Sequence, residues 1–218
     1  MLPRSLRIGQ TVACRRLGLP KTTPDLSALS LFLIDLMTSN QTNGNDSIRS
    51  DYSAYVACLP KTGAPNALFM SEEQIDYWSN FGLEYSKAIE GVRNQAKSCT
   101  EYIQDCLASP SYKSKEGTAT NFIKANDSLL YWAISMVQSR THGFGQARSR
   151  WLTPIFDFAN HSRTPNCRLE GASEGQLILR ALRRIRQGDE ITIDYQVSDD
   201  AKLLATYGFS LQHALPRI

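Results

Sequence analysis

The sequence Asn160-His-Ser-Arg-Thr-Pro-Asn-Cys167 lies in residues 154–209, the most strongly patterned part of the chain. Two short apolar runs follow, at 167–170 and 176–182, with turn-forming residues between them. Runs of this length that are bounded by glycine-containing turns are typical of β-strands. The sequence therefore predicts a β-hairpin directly after the Asn-His pair.

A third apolar run, residues 190–195, predicts another strand that ends in Asp194-Tyr195. Because side chains alternate across a strand, one face is expected to carry Ile191, Ile193 and Tyr195. The triplet Ser198-Asp199-Asp200 is typical of a helix start, and the short helix that it predicts leads to Tyr207-Gly208-Phe209. Glycine in that last triplet permits a sharp turn because it tolerates backbone conformations that other residues avoid.

Together these motifs resemble those of the SET-domain protein methyltransferases. The pair Asn160-His161, followed by a strand that ends in Asp194-Tyr195, is the combination that most distinguishes that family, and residues 154–162 have the form seen in its Rubisco large-subunit methyltransferase-like branch. The resemblance implies an α+β fold, the SET-domain fold, with short β-sheets, a carboxyl-terminal pseudoknot and a mainly helical insertion. It also implies a protein-lysine N-methyltransferase whose only cofactor is S-adenosyl-L-methionine.

The resemblance further implies roles for individual residues. Tyr195 is expected to be catalytic, with a hydroxyl that aims the methyl group and the attacking amine, and to contact the cofactor. Arg140, at the end of a predicted helix, is expected to bind the cofactor carboxylate, since a planar guanidinium can hold a carboxylate through two hydrogen bonds. Backbone groups of Asn160 and His161 are expected to bind the adenine. Tyr207 and Phe209 are expected to line the channel for the substrate. Phe209 is also expected to contact the cofactor.

Each of these residues has a simpler interpretation. Arg140 could complement the dipole at the end of its helix. Asn160-His161 could form a turn with a satisfied imidazole, and Tyr195 could be an aromatic residue of the core. The strands predicted around the Asn-His pair favour the site interpretation.

His142 stands two places after Ser139-Arg140, where the resembled branch commonly has an aromatic residue that forms a wall of the substrate pocket. An imidazole there adds a hydrogen-bonding group, and one related subgroup that also departs from the aromatic methylates histidine. We therefore expect His142 to bind substrate and to influence which side chain is accepted, with lysine favoured over histidine. The alternative is that His142, flanked by Gly143 and Gly145, lies in a mobile loop.

Three segments are expected along the chain. Residues 1–50 would form the amino-terminal part of the SET domain, residues 51–148 the helical insertion that presents the protein substrate, and residues 149–218 the carboxyl-terminal SET core. Apolar residues at helical spacing predict helices at 26–36, at 75–106 with a break near Gly82 or Gly91, and from 126 to 137. Other expected features are loops at 38–50 and 109–120, a tyrosine-containing turn at 51–59 and a capping box at Ser71.

The composition excludes several classes of protein. A net charge of +3, from 24 basic and 21 acidic residues, is too small to indicate nucleic-acid binding. No apolar run approaches the roughly 18 residues that span a bilayer. The five cysteines contain no Cys-x-x-Cys pair, and we expect no metal set among the three histidines. We therefore expect a protein substrate as partner, with no direct contact to nucleic acid, no membrane and no metal.

The amino terminus is basic, because residues 1–24 include arginines and a lysine but no acidic residue. This composition is typical of a mitochondrial or plastid transit segment, whereas the alternative is a first strand at 6–14. We expect an intracellular protein, with cytoplasm or nucleus favoured over those organelles. The resembled family normally opens with a Gly-x-Gly turn against the cofactor, but Ile8-Gly9-Gln10 offers one glycine. This departure favours, as an alternative function, a SET-like module that binds without catalysis.

Overall fold

The structure of the protein is a computed structural model that describes residues 7–39, 47–108, 127–144, 149–171 and 177–213. Its helices are α1 (Gln10–Leu17), α2 (Asp25–Ser39), α3 (Ser47–Cys58), α4 (Glu72–Ser79), α5 (Leu83–Ala108), α6 (Asp127–Arg140) and α7 (Asp200–Tyr207). Its strands are β1 (Ile8–Gly9), β2 (Thr141–Phe144), β3 (Ser149–Leu152), β4 (Asn160–His161), β5 (Cys167–Gly171), β6 (Leu177–Ala181) and β7 (Thr192–Ile193). A 3-10 helix, Phe156–Phe158, precedes β4. Helices combined with small sheets confirm the predicted α+β class.

The main core lies between α2 and α6, which pack against each other. Every side chain in 27–34 of α2 and in 132–138 of α6 is buried. Since burying one large apolar side chain contributes about 1.5–3 kcal/mol, this contact fixes the position of both helices firmly. The helices predicted at 26–36 and 126–137 are therefore confirmed, apart from residue 126, which lies outside the described residues. The end of α6, which carries Arg140, is held in place by this core.

The helices α4 and α5 meet at Gly82, whose φ of 150° disfavours any side chain. The predicted break is thus at Gly82, while Gly91 lies inside α5. Ser71 forms the predicted capping box: its hydroxyl accepts from the Gln74 backbone N–H at 3.3 Å, and the Gln74 side chain accepts from the Ser71 N–H at 2.9 Å. Because α5 also packs against α7, this helical segment supports the carboxyl-terminal motifs.

Three small sheets make up the β structure of the described residues. The first is antiparallel with strand order β1-β3-β2, and it pairs Ile8 and Thr141 on opposite sides of Leu152. The second is the hairpin β5-β6, which confirms the hairpin predicted after the Asn-His pair. The third is the parallel pair β4-β7, which joins two stretches distant in the sequence.

Two strand predictions are wrong in extent. The strand expected at 6–14 is limited to β1, because α1 begins directly after Gly9. The run at 190–195 pairs only through β7, and Ile191 is 45% exposed whereas Ile193 is 2% exposed. The chain leaves the sheet on both sides of this short parallel pairing, so the expected alternation does not extend over the whole run.

The turn expected at 51–59 is wrong, because α3 continues to Cys58. Its buried residues Tyr52, Tyr55 and Val56, together with buried Leu59 directly after the helix, have the i, i+3, i+4, i+7 spacing of a helix face. The loop expected at 38–50 is wrong at both ends, since 38–39 belong to α2 and 47–50 to α3. Residues 40–46, and the loop expected at 109–120, lie outside the described residues. None of the described helices is both long and apolar enough to cross a bilayer.

Candidate active site

A cavity of about 320 Å³ lies where the end of α6, the 3-10 helix, β4 and the end of α7 come together. The predicted site residues that line it are Arg140, Asn160, Tyr195, Tyr207 and Phe209. Further walls come from the segment 60–65 and from Asp157 and Phe158. We call it the aromatic cavity, because four of its lining side chains are aromatic rings.

The parallel pair β4-β7 brings the two halves of the sequence motif together. Asn160 pairs with Thr192, and the Asn160 Nδ2 donates to Glu190 Oε1 at 2.5 Å. Buried Asn166 fastens the loop after β4 to the same segment: its Nδ2 donates to the Glu190 carbonyl at 2.7 Å and its Oδ1 accepts from the Thr192 N–H at 2.9 Å. These hydrogen bonds satisfy backbone groups away from water, and so they fix the position of β4 at the cavity.

His161 lies beside the aromatic cavity and supports two of its lining residues. Its Nδ1 accepts from the Tyr195 N–H at 3.2 Å, which leaves the proton of a neutral imidazole on Nε2. The His161 ring stacks against Phe209, with centroids 6.0 Å apart. The imidazole therefore positions a tyrosine backbone on one side and a phenyl ring on the other.

Tyr195 and Tyr207 form the central pair of rings, with centroids 4.5 Å apart. The Tyr195 hydroxyl donates to the Ala159 carbonyl at 3.0 Å. Burial raises the pKa of Tyr195, and burial raises the pKa of Tyr207 to about 12. Both hydroxyls are therefore protonated at neutral pH, and the Tyr195 oxygen, whose proton is donated to Ala159, can still accept a hydrogen bond.

Arg140 projects from the end of α6, and its guanidinium lies 5.2 Å from the centre of the Phe158 ring. Its Nη1 donates to the Asp157 carbonyl at 3.2 Å and is 3.8 Å from Asp157 Oδ2. The Nε atom is buried and has no hydrogen-bond partner among the described residues. The Arg140 side chain is nevertheless 18% exposed and lines the cavity, so the accessible N–H groups of the guanidinium can donate to a further acceptor there.

The sequence did not predict Asp157 and Phe158, which line the cavity, or Tyr55, which contacts Asp157 from behind it. The Tyr55 hydroxyl donates to Asp157 Oδ2 at 2.6 Å. Burial raises the pKa of Asp157 to about 6, although Tyr55 and Arg140 both lower it. The signal for Asp157 was its position as a lone acid in the apolar run 154–159, whereas no local pattern indicates a partner 102 residues away.

Gly208 closes the cavity against the segment 60–65. It ends α7 with a φ of 79°, and a Cβ at this position would lie 1.6 Å from the Pro65 carbonyl oxygen. Only glycine can therefore occupy this position without moving the wall. The sharp turn expected at Gly208 is confirmed by this left-handed conformation.

His142 does not belong to the described lining of the aromatic cavity. It lies on β2 opposite Trp151, so the mobile-loop alternative is wrong, while the expected contact of His142 with substrate stays a prediction. Burial lowers the pKa of His142 to about 4, which keeps the imidazole neutral at pH 7. Gly9 likewise does not line the aromatic cavity. It lies against the Trp151 ring, since a Cβ at Gly9 would be 2.8 Å from that ring.

A larger cavity, of about 490 Å³, lies between the start of α2 and the middle of α5, and no predicted site residue lines it. Its one thiol is that of Cys99, to which the Ser27 hydroxyl donates at 3.4 Å. Burial raises the pKa of Cys99 to about 11, so this thiol is not a reactive thiolate at neutral pH. Within the described residues, no three His, Cys, Asp or Glu side chains form a group that could hold a metal ion. The aromatic cavity is therefore the candidate active site.

Comparison with known families gives a match over most of the chain. The family model described as "SET domain" matches residues 26–196, which include α6, the 3-10 helix, β4 and β7. A search of curated protein sequences finds no significant match. The family match therefore covers the elements that build most of the cavity.

Solved structures give the same fold. The chain is similar to the SET domain of LSMT bound to MeLysine and AdoHcy, with a TM-score of 0.66 and 18% identity over 97% of this chain and 46% of that chain. It is also similar to Rubisco LSMT bound to AdoMet, with a TM-score of 0.64 and 20% identity over 96% of this chain and 45% of that chain. The chain spans less than half the length of these solved chains. The predicted SET-domain fold is confirmed.

Proposed function

The chain belongs to the SET-domain family, and on that premise we propose that it is a protein methyltransferase that uses S-adenosyl-L-methionine to methylate a lysine side chain. The observation that carries this proposal is the convergence of Arg140, Asn160 and Tyr195 on one aromatic cavity. These residues come from three separate stretches of the chain, and no local pattern requires them to meet. The similar solved structures, which are bound to AdoMet, AdoHcy or MeLysine, support the same activity.

The residues of the cavity match the chemistry of the proposed cofactor. S-adenosyl-L-methionine supplies, when bound, a methyl group on a cationic sulfonium. Arg140 would hold its carboxylate, since its partly exposed guanidinium lines the cavity and a guanidinium binds carboxylates well. The ring faces of Phe158, Tyr207 and Phe209 are suited to a purine and to a nearby positive charge. Asn160 would border the cofactor from β4.

The same cavity is suited to deprotonating and orienting a lysine amine for attack. A lysine in water has a pKa of about 10.4, so less than about 0.1% of it is a neutral amine at pH 7. Aromatic walls exclude water and disfavour the ammonium, which lowers the pKa of the bound lysine. Because the Tyr195 hydroxyl donates its proton to the Ala159 carbonyl at 3.0 Å, its oxygen would accept from an N–H of the amine and orient the lone pair toward the methyl group. The same rings tolerate the methylated cation after transfer.

A second candidate function is a SET-like module that binds without catalysis. It is favoured by Gly9, which lies against Trp151 instead of forming a turn at the aromatic cavity. No described residue before Pro60 lines that cavity, whereas the resembled family places its amino-terminal Gly-x-Gly turn against the cofactor. Methylation of histidine is not favoured by the position of His142 on β2.

The two functions are distinguished by one experiment with two measurements. The protein is incubated with methyl-labelled S-adenosyl-L-methionine and a cell extract, and labelled residues are mapped by mass spectrometry. Binding of the cofactor is measured separately by calorimetry, and Tyr195→Phe is the control. Label on lysine that depends on Tyr195 supports the methyltransferase. Binding without label in any extract supports the silent module, and label on histidine would replace lysine as the acceptor.

A further inference from the structure

Three polar side chains form a buried cluster behind the aromatic cavity. Tyr55 reaches it from α3, Arg140 from α6, and Asp157 from the 3-10 helix. The Asp157 side chain has no exposed surface, and its Oδ2 accepts from the Tyr55 hydroxyl at 2.6 Å while Arg140 Nη1 lies 3.8 Å away. Arg140 and Asp157 both line the cavity, whereas Tyr55 does not. The cluster therefore connects the cavity to the helical core.

One oxygen of Asp157 in this cluster lacks a hydrogen bond to any described residue. Its Oδ1 is buried and has no hydrogen-bond partner among the described residues. A buried carboxylate oxygen without a partner is costly, and the cost falls if that oxygen carries a proton. Arg140 compensates for part of the negative charge, but at 3.8 Å the contact is longer than a direct hydrogen bond.

We propose that Asp157 takes up a proton from solvent when a carboxylate-bearing ligand binds Arg140, so that cofactor binding at this site is coupled to protonation. The inference rests on the proposed function, because it requires the cofactor carboxylate to be held by Arg140. In this scheme Arg140 balances one negative charge in the free protein, and the incoming carboxylate supplies a second. Protonation of Asp157 removes one of the two. Asp157 is thus a positioning residue that acts through Arg140.

The groups around Asp157 are consistent with this exchange. The titratable or charged side chains that face it are Tyr55 from α3, Arg140 from α6 and Tyr195 from the segment after β7. Burial raises the pKa of Asp157 to about 6, and the Tyr55 hydrogen bond and the Arg140 charge both lower it. A ligand carboxylate that binds Arg140 offsets the effect of the Arg140 charge on Asp157 and adds a negative charge nearby. Ligand binding therefore raises the pKa of Asp157 further.

The geometry also indicates where the proton would reside. Oδ2 is occupied by the Tyr55 hydroxyl, which donates to it, while Oδ1 has no described partner. The proton from solvent would therefore bind Oδ1 and convert Asp157 into a neutral acid that can itself donate. No bond other than this O–H forms, and release of the ligand returns the proton to solvent.

The test is isothermal titration calorimetry with S-adenosyl-L-homocysteine, which carries the same carboxylate and cannot transfer a methyl group. Titrations at pH 7 in two buffers of different ionisation enthalpy give the number of protons taken up. We expect about half a proton to one proton per ligand for the unaltered chain, because Asp157 is largely ionised at pH 7 before binding. Asp157→Asn, which preserves shape, should take up none from this site. Subtracting the proton uptake of Asp157→Asn from that of the unaltered chain also removes any proton exchange by the ligand's own amino group.

A pH series separates proton coupling from a merely structural role. Above pH 6 the affinity should fall by up to about tenfold per pH unit in the unaltered chain, since the ligand prefers the protonated form. Tyr55→Phe removes a contact that lowers the Asp157 pKa, so the fall should begin at higher pH. A structural defect would instead weaken binding equally at every pH. Binding with no proton uptake, or with equal uptake in Asp157→Asn, would overturn the coupling alone; absence of binding to the unaltered chain would overturn the proposed function.

Discussion

Tyr195 combines a buried ring with a hydroxyl directed at the Ala159 carbonyl, 3.0 Å away. In the proposed reaction this hydroxyl orients the amine, and it has no assigned contact to the nucleotide part of the cofactor. We expect Tyr195→Phe to lower turnover by about a hundredfold, the usual order for removing one positioned hydrogen-bonding group, with little change in cofactor affinity. Single-turnover rates with labelled cofactor, set beside calorimetric affinity, measure the two effects. Equal loss of both would contradict this division of roles.

Asn160 should behave in the opposite way, because its side chain borders the cavity and is held by Glu190. We expect Asn160→Ala to weaken cofactor binding by about tenfold, which corresponds to the loss of roughly one hydrogen-bonded contact. Turnover at saturating cofactor should change much less. Calorimetry and a rate measurement at high cofactor concentration test this, and Arg163→Ala, on the exposed loop after β4, is the control. An unchanged affinity in Asn160→Ala would remove this side chain from the cofactor site.

Local chemistry explains which site residues could be predicted from sequence. Arg140, Asn160 and Tyr195 each stand in a short motif, and the structure places all three at one cavity. Asp157 stands in the same motif region, but its importance depends on the hydroxyl of Tyr55, which a different helix supplies. A contact between distant helices leaves no periodic signal along the chain. His142 shows the converse: its position in sequence indicated the pocket, whereas strand pairing directs it to Trp151.

At the scale of elements, the long core helices α2 and α6 were easier to predict than the two-residue strands, for a physical reason. α2 and α6 bury long apolar faces, and this burial repeats over many residues. β1, β4 and β7 each contain two residues, so no alternation can develop within them. Their formation depends on partners far away in the chain, such as Thr192 for Asn160. Short parallel pairing is therefore visible only once the tertiary fold is known.

Two helices end at a glycine in the same left-handed conformation, and they provide a matched test of the cavity wall. Gly18 after α1 has a φ of 68°, and a Cβ added there would meet no atom within 4 Å, whereas at Gly208 after α7 the Pro65 carbonyl oxygen would be 1.6 Å away. We expect Gly18→Ala to destabilise the protein by about 1–2 kcal/mol through backbone strain alone. Gly208→Ala should cost at least about 1–3 kcal/mol more, because the wall must move. Urea unfolding of both variants measures the difference, and equal losses would show that Pro65 yields without cost.

At the scale of the whole molecule, two buried groups make stability depend on pH in opposite directions. Burial raises the pKa of Asp157 from an ordinary value of 3.8 to about 6, so the folded state binds the proton more tightly than the unfolded chain. This contribution is present below pH 4 and is lost as pH rises to 6. Burial lowers the pKa of His142 from 6.5 to about 4, so its contribution is present above pH 6.5 and is lost as pH falls to 4.

These two effects nearly cancel between pH 4 and 6, since each amounts to about 1.4 kcal/mol per pH unit. The variants should separate them. In Asp157→Asn the free energy of unfolding should rise by up to about 3 kcal/mol from pH 4 to 6.5 relative to the unaltered chain, because only His142 remains. In His142→Gln it should fall by a similar amount as pH rises from 4 to 6. Urea unfolding at several pH values measures both slopes, with the double variant as control. Since the double variant lacks both groups, its pH dependence should match that of the unaltered chain; parallel curves for all four proteins would contradict the burial of these charges.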